Sequence, residues 1–146
     1  MKLSDHNNKT LKLALHQSIE NYADYSANLL SKGNIEDSII YPPNGGLTNE
    51  ERHSLKQLSK IPHLKSALRK VLADNAAQVV FDLFNHIDGT TDPDEALGEW
   101  TGVSLVDKTD DIEENDEMHH DNFLDTYWDW RALRTNQSWK LDLYEG

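Results

Sequence analysis

Residue types that commonly bind metal ions recur in the second half of the chain. His119 and His120 are adjacent and are followed by Asp121, while Asp82 and His86 are four residues apart and would share one face of a helix. Histidine and carboxylate groups can hold a divalent metal that activates water, provided that three or more converge from a rigid frame. A metal-dependent hydrolase that uses these five residues, on the third and fourth predicted helices, is therefore one interpretation of the sequence.

Several observations favour a protein without catalytic activity. The chain has no cysteine, which excludes disulfides, thiolate metal sites and a cysteine nucleophile. It contains neither a glycine-rich phosphate loop nor a Gly-x-Ser-x-Gly turn. His119 and His120 also fit a simpler explanation, because histidines at the acidic start of a helix are stabilised in their charged form without any metal. We therefore expect no cofactor and no bound metal.

The charge of the chain is strongly negative and unevenly distributed. Its formal net charge is −12, with 26 Asp and Glu residues against 14 Lys and Arg residues. Residues 1–73 carry ten basic and seven acidic side chains, whereas residues 74–146 carry four basic and 19 acidic ones. A field of this sign repels nucleic-acid phosphates and anionic membranes and attracts cationic partners. Solubility alone is the competing explanation of the acidity.

The acidic half predicts a surface that binds a basic protein, such as a toxin or a nuclease. Immunity proteins, antitoxins and nucleic-acid mimics have this physical character, and we expect no direct contact with nucleic acid or membrane. Tryptophan surrounded by charge is typical of a binding hot spot. A homodimer, paired through the apolar stripe of the first helix, is a further alternative. The predicted contact residues are Asp110, Asp111, Glu113, Glu114, Asp116, Glu117, Asp121, Asp125 and Trp128.

Hydrophobic periodicity predicts a mainly α-helical bundle of about four helices. The helices are expected at about residues 9–32, 48–61, 63–87 and 116–134. Gly33 can end the first helix, and Thr48 with Glu51 forms a capping box for the second. The third has an apolar face so wide that we expect it to be the central helix of the fold.

The remaining segments complete a single domain over residues 1–146. Ile39, Ile40 and Tyr41 are expected to pack inward beside two prolines, and the acidic residues 107–117 are expected to form a mobile loop. Alternating side chains predict short strands at residues 100–106 and 138–144, which would pair as a small two-stranded sheet. No signal peptide and no apolar run long enough to span a membrane is present, which favours the cytoplasm.

Overall fold

The computed structural model describes residues 3–34, 39–108, 128 and 132–133. Three helices lie in this part of the chain: α1 (Asp5–Ser31), α2 (Asn49–Lys56) and α3 (Leu64–Asp88). Short 3₁₀ segments at Gln57–Lys60 and Glu95–Leu97 follow α2 and α3. The prediction of a mainly helical protein is confirmed. Within the described ranges, no helix is both long enough and apolar enough to cross a membrane.

The ends of α1 are set by its own sequence. The Ser4 hydroxyl accepts a hydrogen bond from the backbone N–H of Asn7 at 3.3 Å, which satisfies one of the unpaired donors of the first turn. At the other end, Gly33 adopts a left-handed conformation with φ of 68°. A Cβ atom at Gly33 would lie 3.2 Å from the carbonyl oxygen of Lys56, so glycine also permits the close approach of α2.

The predicted capping box at the start of α2 is confirmed. The Thr48 hydroxyl accepts a hydrogen bond from the Glu51 N–H at 3.2 Å, and the Thr48 N–H donates to Glu51 Oε2 at 2.7 Å. The helix is short because the chain tightens into 3₁₀ geometry at Gln57 and then passes Pro62. His63 adopts φ of 59° before α3 begins, so the connection between the two helices turns sharply.

Helices α1 and α3 pack against each other in antiparallel orientation. Asp24, near the end of α1, lies 3.8 Å from Lys65 and 3.3 Å from Arg69, which are both near the start of α3. Lys12, in the first half of α1, lines the same groove as Phe84, which is near the end of α3. The acidic second half of α1 thus lies beside the basic first half of α3, and this charge arrangement favours the observed orientation.

The described helices enclose little core of their own. Among the apolar residues of the described helices, only Ala23 and Ala27 are buried, and their small side chains allow α1 to come close to its neighbours. On α3, which we expected to be surrounded, Phe81 is 62% exposed and Val79 is 65% exposed. Val71 and Leu83 are exposed as well. In the part of the chain that the structure describes, α3 therefore has one long packed neighbour, α1, and a broad apolar surface besides.

One prediction about local structure is wrong, and another is not confirmed. Ile39, Ile40 and Tyr41 do not pack inward: all three are exposed, and the buried residue of this segment is Pro42, which follows a cis peptide bond. The isoleucines and Tyr41 precede that compact proline turn instead of filling it. The strand predicted at residues 100–106 is absent, since this described segment is irregular apart from an isolated bridge at Val106.

Other predicted elements lie largely outside the described residues. These include the second strand, residues 138–144, most of the acidic loop at residues 107–117 and most of the fourth helix at residues 116–134. Within the last of these, Trp128, Ala132 and Leu133 are described and are helical. Asp107 and Lys108 are described as well, and Asp107 is held against the start of α1.

Candidate partner-binding surface

Only one of the nine predicted contact residues, Trp128, is among the residues that the structure describes. Trp128 is helical and 44% exposed, as a tryptophan that contacts a partner must be. The eight predicted carboxylates lie outside the described residues, namely Asp110, Asp111, Glu113, Glu114, Asp116, Glu117, Asp121 and Asp125. Their common surface with Trp128 stays a prediction.

The acidic half of the chain begins within the described residues, and there its carboxylates are available to a partner. Between residues 71 and 107 the sequence has eight Asp and Glu residues and neither lysine nor arginine. Seven of these eight side chains are exposed, from Asp74 to Glu99, and none of the seven forms an ion pair with a described lysine or arginine. Their negative charge is consequently not neutralised by the described part of the protein.

An acidic cleft lies beyond the end of α3, lined by Asp92, Glu95, Glu99 and Trp100 together with backbone of three glycines. Its volume is about 1030 Å³, and it is open to solvent. Gly98 and Gly102, on either side of Trp100, have φ of 139° and 88°, a backbone conformation that glycine adopts readily. The indole is 37% exposed. A cleft lined by three carboxylates and an aromatic ring suits a lysine or arginine side chain.

The acidic cleft is positioned by hydrogen bonds at the end of α3. The Thr90 hydroxyl donates to the backbone oxygen of Asn85 at 3.1 Å and to its side-chain oxygen at 2.8 Å, so the chain reverses directly after Gly89. Farther along, the Asp94 carboxylate accepts from the Ala96 N–H at 2.8 Å and caps the short 3₁₀ turn. These local contacts order the backbone on either side of Asp92 and next to Glu95, two residues that line the cleft.

His86 has a structural role in the same region. Its Nδ1 lies 3.0 Å from the carbonyl oxygen of Thr91, so Nδ1 carries a proton and donates to that oxygen. Its ring meets the Trp100 ring edge-to-face, with 6.4 Å between centroids and an interplanar angle of 67°. His86 thereby connects the end of α3 to the acidic cleft.

The alternative metal site gains no support from the described residues. Asp82 is exposed on α3, and His86 is engaged by Thr91 and Trp100, whereas His119, His120 and Asp121 lie outside the described residues. Among the residues that are described, no three His, Asp or Glu side chains converge as metal ligands would.

Asp107 lies at the start of α1, where it contacts Ser4. The Ser4 N–H lies 3.2 Å and 3.3 Å from the two carboxylate oxygens of Asp107, and it donates to them. Hydrogen bonds from the Asn7 side chain and then from Ser4 hold the pKa of Asp107 below its usual value, with a smaller contribution from the charge of His6. The segment of residues 105–108 therefore lies beside the first two turns of α1.

A second concave surface, the apolar groove, runs between α1 and α3. It has a volume of about 470 Å³. Its floor and walls are mainly apolar, and Lys12 and His16 stand on the α1 side. Grooves of this kind commonly accept apolar side chains of a helix. The apolar lining residues are Leu15, Ile19, Ala77, Val80, Phe81 and Phe84.

Sequence reasoning did not identify either concave surface. Asp92, Glu95 and Glu99 were visible as acidic residues in a turn-rich segment, but nothing in their spacing indicated that Trp100 would lie among them. The apolar groove could not be predicted without knowing which face of α1 meets α3. No family model, curated protein or solved structure matches this chain, so both surfaces are interpreted from their own chemistry.

Proposed function

We propose that this protein is a non-catalytic interaction protein that binds a basic protein partner through its acidic second half. The observation that carries the proposal is the acidic cleft, which three exposed carboxylates line together with the partly exposed ring of Trp100. A guanidinium or ammonium group can be attracted by those carboxylates and can stack on the indole at the same time. A partner residue of this type would be held in a defined orientation, which diffuse charge alone does not provide.

The surroundings of the acidic cleft support the same proposal. The seven exposed carboxylates from Asp74 to Glu99 precede a further acidic stretch, because residues 109–130 contain nine Asp and Glu residues and neither lysine nor arginine. We propose that this stretch, with Asp110, Asp111, Glu113, Glu114, Asp116, Glu117, Asp121, Asp125 and Trp128, extends the contact surface. A large surface of one sign accelerates association with a basic partner and excludes nucleic acid.

The class of partner follows from this electrostatic character. A protein with a cationic groove, such as a nuclease or a toxin that acts on nucleic acid, presents the complementary charge. Occupation of that groove by an acidic protein would prevent its own substrate from binding. We therefore propose an inhibitory role of the immunity-protein, antitoxin or nucleic-acid-mimic type.

The proposal is tested by isolating partners on the immobilised full-length protein at low salt and measuring the dissociation constant of any purified partner. Trp100→Ala should weaken binding by about 30-fold, the effect of losing a hot-spot residue. The matched control is Tyr22→Ala, since Tyr22 is an aromatic residue that is 74% exposed on α1, away from the acidic cleft. A basic partner that binds the two variants equally well, or the recovery of only acidic and neutral partners, would contradict the proposal.

A further inference from the structure

The acidic cleft offers a partner apolar surface as well as charge. Its lining combines three carboxylates with apolar groups, namely the Trp100 ring, Pro93 and three glycines. Its volume of about 1030 Å³ and its wide opening to solvent leave room for any basic side chain. Size therefore does not select between lysine and arginine, so any selection depends on the chemistry of the lining.

We propose that the acidic cleft is selective for arginine over lysine and takes the guanidinium group of a partner arginine, stacked on the Trp100 ring. This inference rests on the proposed function, because it names the residue by which a basic partner would be recognised. A guanidinium group is planar and weakly hydrated, so it can lie flat on an aromatic ring without losing much hydration. The ammonium group of lysine is a strongly hydrated point charge and gains less from such a surface.

The Trp100 ring is oriented by contacts within the protein. The His86 ring meets it at 67°, with 6.4 Å between the ring centroids, and His86 Nδ1 donates to the Thr91 carbonyl oxygen at 3.0 Å. Trp100 nevertheless stays 37% exposed. A ring whose orientation is set in advance loses little conformational freedom when a ligand binds. Tryptophan is also the aromatic residue that attracts cations most strongly, and arginine is its more frequent cationic neighbour.

The three carboxylates of the cleft favour the same side chain. Asp92, Glu95 and Glu99 are exposed, and none of them forms an ion pair with a lysine or arginine in the described part of the chain. A guanidinium group can donate two parallel hydrogen bonds to one carboxylate, whereas an ammonium group acts as a point charge. Its N–H donors lie in the plane of the group, so a guanidinium stacked on Trp100 can still reach a carboxylate at its edge.

Selectivity for arginine also fits the class of partner. Proteins that bind nucleic acid use the guanidinium group for bidentate contacts to phosphate. A carboxylate accepts the same pair of hydrogen bonds as a phosphate does. The acidic cleft would therefore bind an arginine that the partner otherwise uses to hold its nucleic acid.

Peptides that differ in one residue test the selectivity on the full-length protein. Their common sequence is acetyl-Gly-Ser-Xaa-Ser-Gly-amide, with arginine, lysine or citrulline at Xaa, and citrulline keeps the shape of arginine without its charge. The backbone amide signals of Gly98 and Gly102, which line the cleft, report binding in NMR titrations at low salt. These reporters remain available when the side chain of Trp100 is replaced.

We expect the arginine peptide to bind about fivefold more tightly than the lysine peptide, and the citrulline peptide to bind most weakly. Trp100→Leu keeps an apolar side chain without an aromatic face and should reduce the preference for arginine to less than about twofold. Trp100→Phe, which keeps a smaller aromatic face, should retain part of the preference. Tyr22→Ala removes an exposed ring from α1 and should leave the preference unchanged.

Equal dissociation constants for the arginine and lysine peptides, or an undiminished preference in Trp100→Leu, would overturn the inference. Equal binding of both peptides that is weakened by Asp92→Asn, Glu95→Gln and Glu99→Gln together would overturn the selectivity alone, and the proposed function would stand. If neither basic peptide shifts the Gly98 and Gly102 signals, the role of the acidic cleft in the proposed function is contradicted as well.

Discussion

The Asp107 carboxylate accepts a hydrogen bond from the backbone N–H of Ser4, although 103 residues separate them in sequence. This contact joins the segment that follows the acidic cleft to the N-terminal cap of α1. It also serves the helix electrostatically, because a carboxylate at a helix N-terminus faces the positive end of the helix dipole. Asp107 thus makes a contact within the fold, while the carboxylates from Asp74 to Glu99 stay exposed.

The contact predicts a pH-dependent protection of the start of α1. Because the pKa of Asp107 is lower in the folded protein, its stabilising contribution is complete above the unfolded pKa, about 4, and is lost as the pH falls through the lower folded value. At pH 6, Asp107→Ala should accelerate amide hydrogen exchange at Ser4 and over the first turn of α1. Asp92→Ala, which removes another carboxylate, should leave that exchange unchanged.

Acid should remove the difference between the wild-type protein and Asp107→Ala. At a pH well below the folded pKa of Asp107, its protonated carboxyl group accepts hydrogen bonds weakly, and both proteins should exchange the first-turn amides at similar rates. Exchange rates from NMR measure this directly. A difference that persists unchanged at low pH would show that the carboxylate charge does not stabilise the helix start.

A second prediction concerns the capping box of α2. Thr48→Ala removes the acceptor for the Glu51 N–H and should lower the free energy of unfolding by about 1 kcal/mol. Thr48→Ser keeps the hydroxyl and should retain most of the stability. Asn49→Ala, at the next position along the chain, is the control. Urea denaturation followed by circular dichroism gives the comparison, and equal losses for Thr48→Ala and Asn49→Ala would contradict a capping role.

A third prediction compares two glycines with nearly equal backbone conformation. Gly33 and Gly89 have φ of 68° and 70°, so alanine at either position costs about 1 kcal/mol in backbone strain. Only Gly33 has backbone atoms of Lys56 within 3.3 Å of the added Cβ, whereas nothing lies within 4 Å at Gly89. Gly33→Ala should therefore destabilise the protein more than Gly89→Ala in thermal or urea unfolding. Equal destabilisation would mean that α1 and α2 separate freely at this point.

A fourth prediction concerns two carboxylates, Asp121 and Asp125, of the acidic stretch that we propose as part of the contact surface. Reversal of charge at Asp121 and Asp125 to lysine should slow association with a basic partner, because such charges steer the encounter. Its effect on stability should be small, since exposed carboxylates contribute about 0.5 kcal/mol each to folding. Stopped-flow association and urea unfolding of the same variant separate the two effects. An unchanged association rate would remove these two residues from the contact surface.

The helices could be predicted from the sequence because their signals are local. The Thr48 capping box, Gly33 at the end of α1 and the periodic apolar positions of α3 each involve residues within one or two helical turns. The pairing of Asp24 with Lys65 and Arg69 could not be predicted, because it depends on which faces of two distant helices meet. The contact between Asp107 and Ser4 has the same origin.

The candidate partner-binding surface, too, could be predicted from the sequence only in part. Charge asymmetry is a property of composition, and it indicated an acidic half without a structure. The sequence analysis predicted the aromatic contact at Trp128, whereas the cleft that Trp100 lines with Asp92, Glu95 and Glu99 depends on the path of the chain after α3. The prediction for Ile39, Ile40 and Tyr41 was wrong for a related reason: apolar composition does not specify an inward direction, and Pro42 takes the buried position.

The most direct measurement of partner binding is the salt dependence of the association rate with a purified basic partner. Three proteins are compared: wild type, a cleft variant with Asp92→Asn, Glu95→Gln and Glu99→Gln, and a control with Asp5→Asn, Glu20→Gln and Glu50→Gln, which loses the same charge elsewhere. We expect the rate to fall steeply with salt for wild type and control and to show a clearly smaller slope for the cleft variant. Equal slopes for the cleft variant and the control would contradict a specific role of the acidic cleft, and a rate independent of salt would contradict the electrostatic basis of binding altogether.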